Sequence, residues 1–281
     1  MSAPEASQAT TSPATFGARE CAELLDIASR AAHAAAAGIR RSAGEIDSIV
    51  WRSKSHADFV SAVDVAAEES LRDAILREIP DAVIVGEELS PSASLGAITF
   101  IVDPLDGTTN FLHSFPWYAV SVAVFRDGAP AAGVVINVPT GDVHSAAAGL
   151  GARSNGHPIR VSAIDAPERA LIGTGFPFKT PAELDRYAEQ FKRVTRATAG
   201  IRRAGSAALD LADVALGRFD AFWELLLSPW DFAAGALIVR EAGGMVTDIR
   251  GTAVGHDASS IVAGNPRMHA WLLATLTSVP E

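Results

Sequence analysis

The chain carries a single cysteine, Cys21, among its 281 residues. One thiol cannot close an internal disulfide or build a cysteine-ligated zinc site. A reducing, cytoplasmic compartment is therefore expected, and Cys21, in an apolar helical stretch, reads as a buried structural thiol. No run of about 18 apolar residues occurs, so no membrane span is expected. Residues 1–17 are rich in Ala, Ser, Thr and Pro but lack the basic start and apolar core of a signal peptide. They read as a flexible tail. Positive charge is also scarce: 23 Lys and Arg stand against 33 Asp and Glu, a net charge of −10. That balance disfavours direct nucleic-acid binding, which relies on basic side chains against phosphates. A phosphate-bearing ligand would need bound cations or a local basic patch. HExxH, P-loop lysine and GxSxG motifs are absent, and the seven histidines are scattered without metal-ligand spacing.

What remains is an ordinary globular composition, 48% hydrophobic and 20% charged. The length suits one large domain or two intimately packed lobes, 18–165 and 166–281. Apolar residues at helical spacing predict helices over 18–41 and 61–78, then over 181–198, 207–217, 229–242 and 268–276. β-branched and aromatic runs predict strands at 82–85, 98–102, 118–125, 131–138 and 142–148, then at 170–174, 219–224, 245–247 and 260–263. Asp127-Gly128 marks a hairpin. Trp51 to His56 reads as a loop or mobile hairpin, and Gly149 to Gly156 as glycine turns, a weak nucleotide-binding signal. Alternating strands and helices around an antiparallel meander predict a layered, mixed α and β enzyme.

The densest chemistry is Asp103-Pro104-Leu105-Asp106-Gly107-Thr108-Thr109-Asn110, at the end of the apolar run Ile98–Val102. Two carboxylates there suit a hard cation, and the amides and hydroxyls after the glycine turn suit a phosphate. Charges at the end of such a run are costly unless paired. Glu87 and Asp231 also stand at turns or element ends. Four acids could hold more than one Mg2+, since each such ion keeps waters and takes few protein ligands. Plainer readings accompany them. Glu87 and Glu88 could be a solvated loop pair. Asp231 could cap the helix opened by Ser228-Pro229, and Asp64 could close a capping box with Ser61.

Four segments together resemble the inositol monophosphatase family of Mg2+-dependent, lithium-sensitive phosphatases. They are Gly86-Glu87-Glu88, Asp103 to Phe111, Gly205-Ser206-Ala207-Ala208, and Trp230 to Gly235 with Glu241-Ala242-Gly243-Gly244. The resemblance runs from about Ala18 to the last helix and implies an αβαβα sandwich of the sugar-phosphatase type. It implies that Glu87, Asp103 and the Leu105 carbonyl hold a first Mg2+, and that Asp103, Asp106 and Asp231 hold a second. A third, weaker ion would sit near Glu87 beside the loop carrying Lys54. Thr108, aided by Asp64, would activate the attacking water, and Gly107 and Thr108 would give amides to the phosphate. Glu224 matches a substrate-hydroxyl acceptor, and Ser206 and Ala207 match positions lining a polyol pocket. The implied reaction is hydrolysis of a small phosphate monoester, inositol 1-phosphate first, in a homodimer. Histidinol phosphate and fructose 1,6-bisphosphate are alternatives on the same core. Thr109-Asn110, where nucleotide-type members carry Lys-Glu, favours the inositol type. Some bacterial relatives bind the transcription machinery, which leaves a non-enzymatic accessory role open; a catalytically dead phosphosugar-binding module is disfavoured by the intact acids.

Overall fold

The computed structural model describes residues 17–49, 51–55, 58–177 and 180–279. The expected tail at 1–17 lies outside these except for Gly17, as does His56 of the expected hairpin. Two helices open the chain, α1 (Ala18–Ser42) and, after the short antiparallel pair β1 (Trp51–Ser55) and β2 (Asp58–Ser61), α2 (Ala62–Glu78). They cover one face of a seven-stranded sheet. Its strands are β3 (Val83–Gly86), β4 (Ile98–Asp106), β5 (Ala119–Arg126), β6 (Ala129–Asn137), β7 (Val143–Ala147), β8 (Ala152–Ser154) and β9 (His157–Pro158), side by side in that order. Only β3 and β4 run parallel; each later pair is antiparallel.

The second half builds a five-stranded sheet from β10 (Leu171–Thr174), β11 (Gly200–Arg202), β12 (Ala221–Leu225), β13 (Met245–Thr247) and β14 (Ser260–Gly264). Their order is β11-β10-β12-β14-β13. The helices of this half are α4 (Leu184–Ala197), α5 (Ala207–Ala215), α6 (Pro229–Glu241) and α7 (Pro266–Thr277). The short helix α3 (Thr108–Leu112) belongs to the first half.

Strand alternation sorts the core into three apolar layers. Phe100, Val102, Val122 and Val134 face Leu24, Ala28, Ile39, Leu71 and Ile75 of α1 and α2. Their neighbours Ile101, Ala123, Phe125 and Val135 face α5 and α6. On the second sheet, Phe222, Ile261 and Ala263 face those same two helices. Ile172, Trp223 and Val262 face Tyr187, Val194 and Leu272 of α4 and α7. The layering is helix, sheet, helix, sheet, helix: the expected αβαβα sandwich. It explains why the central strands read as unbroken apolar runs, since both faces are covered. It also explains why α5 and α6 are buried along most of their lengths. Every residue of α5 is buried. Cys21 is buried, as expected.

The structure departs from the sequence reading in short elements. The Gly149–Gly156 turns enclose β8, and Gly200–Arg202 is an edge strand pairing parallel with β10. Both are three residues long, too short for a periodic signal, and exist through pairing. The first sheet's strand 98–102 continues through the acidic motif to Asp106, and α3 follows it directly. Among the described residues no helix is long and apolar enough to cross a membrane.

Candidate active site

In a regular strand, residues three apart point to opposite faces. Asp103 and Asp106 would then be separated by the sheet. Asp103 pairs with Ser121 and Asp106 with Ala119, so β4 carries one more residue than β5 between these pairs. Such a bulge suits Pro104, which has no N–H for the ladder. The extra residue returns both acids to one side, where they line one cavity of about 620 Å3. The Leu105 amide donates to Asp103 Oδ1 at 2.9 Å and fixes its rotamer. Gly107, at φ +94°, takes the left-handed turn that starts α3.

The cavity gathers Glu87, Asp103, Leu105, Asp106, Gly107, Thr108, Ser206, Ala207, Glu224 and Asp231 along its walls. Residues from β4, α5, β12 and α6 thereby meet at one place, with Glu87 carried by the loop after β3. Asp64 sits behind Thr108, whose hydroxyl lies 2.9 Å from Asp64 Oδ1 and 3.1 Å from the Leu105 carbonyl. The other oxygen of Asp64 accepts the Ser61 amide at 2.8 Å. The expected capping box is present on one oxygen of Asp64, and the other oxygen holds the Thr108 hydroxyl. Asp231 does likewise: it accepts the Ser228 amide at 2.7 Å as a helix cap while lining the cavity. Ser206 caps α5 and sends its hydroxyl to Asp106 Oδ2 at 2.6 Å, and the Ala208 amide reaches the same oxygen at 2.8 Å. Ser206 therefore lines the cavity with its hydroxyl engaged by an acid. Lys54 lies on β1, and its side chain falls outside the described part.

The acids make an electrostatically costly set. Burial raises the carboxyl of Asp103 well above the usual range, and Glu87, Asp106 and Asp231 raise it further. Burial likewise raises Asp231, with Asp106 and Glu87 adding to it. Asp106 is pushed up to about 6 by burial, despite the Ser206 and Ala208 donors. Burial raises Asp64 as well, against its hydrogen bonds from Ser61 and Thr108. Among the described residues no three carboxylate, imidazole or thiolate groups form a ready-made metal cage. The acids instead share a cavity wall with a backbone carbonyl. That donor set fits hard divalent cations, which prefer oxygen and retain waters, and a cation would relieve the mutual repulsion.

Several supporting residues gave no motif signal. Glu68 is buried and its carboxylate accepts the Glu88 and Leu89 amides at 2.7 and 3.1 Å, anchoring the loop that carries Glu87. A Cβ at Gly86 would collide with that carboxylate, so a side chain there would displace the anchor. Glu68 stands four residues after Asp64, one helical turn along the same face, which is the signal that could have found it. Asn110 Nδ2 donates to the carbonyls of Trp117 and Ala204 at 2.7 and 2.9 Å and ties the acidic motif to the loop before α5. Arg203 and Asp210 also line the cavity.

The chain is similar to known proteins over most of its length. The model of the inositol monophosphatase family matches residues 20–281. A Pseudomonas aeruginosa protein named Nus factor SuhB is 44% identical over 258 residues, covering 90% of this chain and 95% of that protein. An inositol-1-monophosphatase of Rhizobium meliloti is 43% identical over 243 residues, covering 86% of this chain and 91% of that one. The crystal structure of the extragenic suppressor protein suhB from Bartonella henselae superposes with a TM-score of 0.85 at 38% identity, covering 90% of this chain and 98% of that chain.

Proposed function

The chain belongs to the inositol monophosphatase family, and from that premise we propose that it is a Mg2+-dependent phosphatase of small polyol phosphates, with inositol 1-phosphate as substrate. The observation that carries this reading is the hydrogen bond from Thr108 to Asp64 beside four cavity acids. Glu87, Asp103, Asp106, Asp231 and the Leu105 carbonyl would hold two to three Mg2+, with Lys54 near the weakest. Mg2+, when bound, lowers the pKa of water and offsets phosphate charge.

The chain's own residues then have distinct tasks. Thr108 can pass its hydroxyl proton to Asp64 Oδ1 and so free a lone pair to take a proton from the attacking water. Asp64 is held for this by Ser61, and its raised pKa suits a proton acceptor. The amides of Gly107 and Thr108, at the first turn of α3, would position the phosphate. Ser206 and Ala208 fix the orientation of Asp106. Glu224 would accept a hydroxyl of the leaving alcohol, with Ala207 on the adjoining wall. Membership in the family also supports lithium sensitivity, a homodimer and a cytoplasmic location as parts of the same reading. A phosphate-release panel tests it, with inositol 1-phosphate, histidinol phosphate, fructose 1,6-bisphosphate and 3′-phosphoadenosine 5′-phosphate, each with Mg2+ and with added Li+. Inositol 1-phosphate should be preferred, with Mg2+ required and Li+ inhibitory. Preference for histidinol phosphate would move the protein to that branch, and no Mg2+-dependent release from any ester would end the phosphatase reading.

A second reading rests on the name Nus factor SuhB carried by several relatives. In it, the chain also serves as an accessory to the transcription machinery. With a net charge of −10, contact through a protein partner is better supported than contact with RNA. Co-purification with RNA polymerase from the native host tests this. A polymerase preparation free of the chain would sink it.

A further inference from the structure

Among the described residues, Asp210 is a buried acid of the cavity to which the cation site gives no role. It lies in α5, four residues after Ser206, so the two side chains share a helix face. Both line the cavity, with Glu224, Arg203 and Phe176 on the neighbouring wall. Asp210 is 1% exposed, and its Oδ1 makes no hydrogen bond among the described residues. A buried oxygen left in that state costs about 1–3 kcal/mol. The structural duties nearby are met by others. Ser206 caps α5, and Arg218 pairs with the helix's other buried acid, Asp213, at 2.9 Å. The Arg203 guanidinium lies over the Phe176 ring, 5.2 Å from its centre. A Cβ at Gly175 would collide with the Glu224 carboxylate, so glycine makes room for that group at the cavity wall.

We propose that Asp210 is a specificity-determining residue that hydrogen-bonds a hydroxyl of the leaving alcohol, beside the one met by Glu224. The cavity then selects phosphate monoesters whose alcohol carries at least two further hydroxyls. The idea rests on the phosphatase reading above and adds a residue to it. Burial and the nearby Glu224 raise the Asp210 carboxyl well above its usual range. A neutral carboxyl offers one donor and one acceptor, the pair that an alcohol hydroxyl also offers.

Asp210→Ala and Asp210→Asn test this. Alanine is the best helix former, and asparagine keeps both the shape and the donor–acceptor pair. With Mg2+, Asp210→Ala should lower kcat/KM for inositol 1-phosphate by roughly tenfold, chiefly through KM, and leave p-nitrophenyl phosphate within about twofold. Asp210→Asn should recover inositol 1-phosphate to within about threefold. Calorimetric titration of the Ca2+-loaded protein gives a readout independent of turnover. Asp210→Ala should weaken inositol 1-phosphate by roughly tenfold and inorganic phosphate by less than about twofold. Equal losses on both ligands, or none, would overturn the assignment. A wild-type protein that hydrolyses neither ester fails the phosphatase reading alone, because the binding arm still judges Asp210. Binding of neither ligand overturns both.

Discussion

Asp106→Asn separates the cost of the acidic site from its use. In the folded, cation-free protein burial pushes its carboxyl up to about 6, from an ordinary value of 3.8. Between these values the folded state holds more protons than the unfolded one, so stability falls as pH rises through the window. The gap corresponds to about 3 kcal/mol lost once pH exceeds 6. Asparagine cannot ionise, and its side-chain oxygen can still accept from Ser206 and Ala208, which reach Asp106 at 2.6 and 2.8 Å. Urea unfolding with EDTA should therefore show Asp106→Asn more stable than wild type at pH 8, by up to about 3 kcal/mol. The difference should vanish near pH 4. Adding Mg2+ should narrow the gap: cation at a hundredfold its Kd stabilises wild type by about 2.7 kcal/mol, and the variant, short of one ligand, gains less. Phosphate release should fall in the same variant. A variant less stable than wild type at pH 8 in EDTA would refute the like-charge reasoning, and undiminished stabilisation by Mg2+ would refute the ligand assignment.

Three further expectations follow from single contacts. Glu224→Gln should weaken use of inositol 1-phosphate more than of p-nitrophenyl phosphate; equal loss on both would remove Glu224 from the alcohol side of the cavity. Glu68→Gln leaves one of the Glu88 and Leu89 amides facing an NH2 donor in place of an acceptor oxygen, so it should raise the Mg2+ concentration needed for half-maximal turnover and cost about 1–3 kcal/mol of stability. An unchanged Mg2+ requirement would show that Glu68 does not position Glu87. His144, buried on β7, has its pKa lowered to about 4 by burial. The unfolded chain then takes up its proton first, so acidification from 6.5 to 4 should cost up to about 3 kcal/mol through this group, and His144→Gln should flatten that limb of the stability–pH curve.

The layers and most elements were legible because apolar periodicity carries them. Phe100, Val102, Val122 and Val134 alternate with Ile101, Ala123 and Val135 between two cores. Glu87, Asp103, Asp106 and Asp231 stood out as charges at the ends of apolar elements, and the structure brings them to one cavity. The geometry that unites Asp103 with Asp106 was not legible. Strand period alone puts them on opposite faces, and the bulge between Asp103 and Asp106 reverses this. The helix α3 escaped notice because five residues cannot nucleate alone and depend on tertiary support. Ser206 was read as a pocket wall, whereas its hydroxyl also holds Asp106. Asp210 and Glu68 were hidden in helices; an acid inside a helix as apolar as α5 is a signal in retrospect.

The central claim is that these acids work as a cation site for phosphate ester hydrolysis. Its most direct measurement is phosphate release from inositol 1-phosphate across a Mg2+ titration, for wild type and Asp103→Asn, with unfolding curves recorded on both. Asp103 Oδ1 accepts the Leu105 amide, a role asparagine retains, so the variant should fold. Wild type should require Mg2+, and the variant should lose at least roughly a hundredfold in turnover while unfolding as a native protein. Near-normal turnover in the folded variant, or wild-type turnover indifferent to Mg2+ and EDTA, would contradict it.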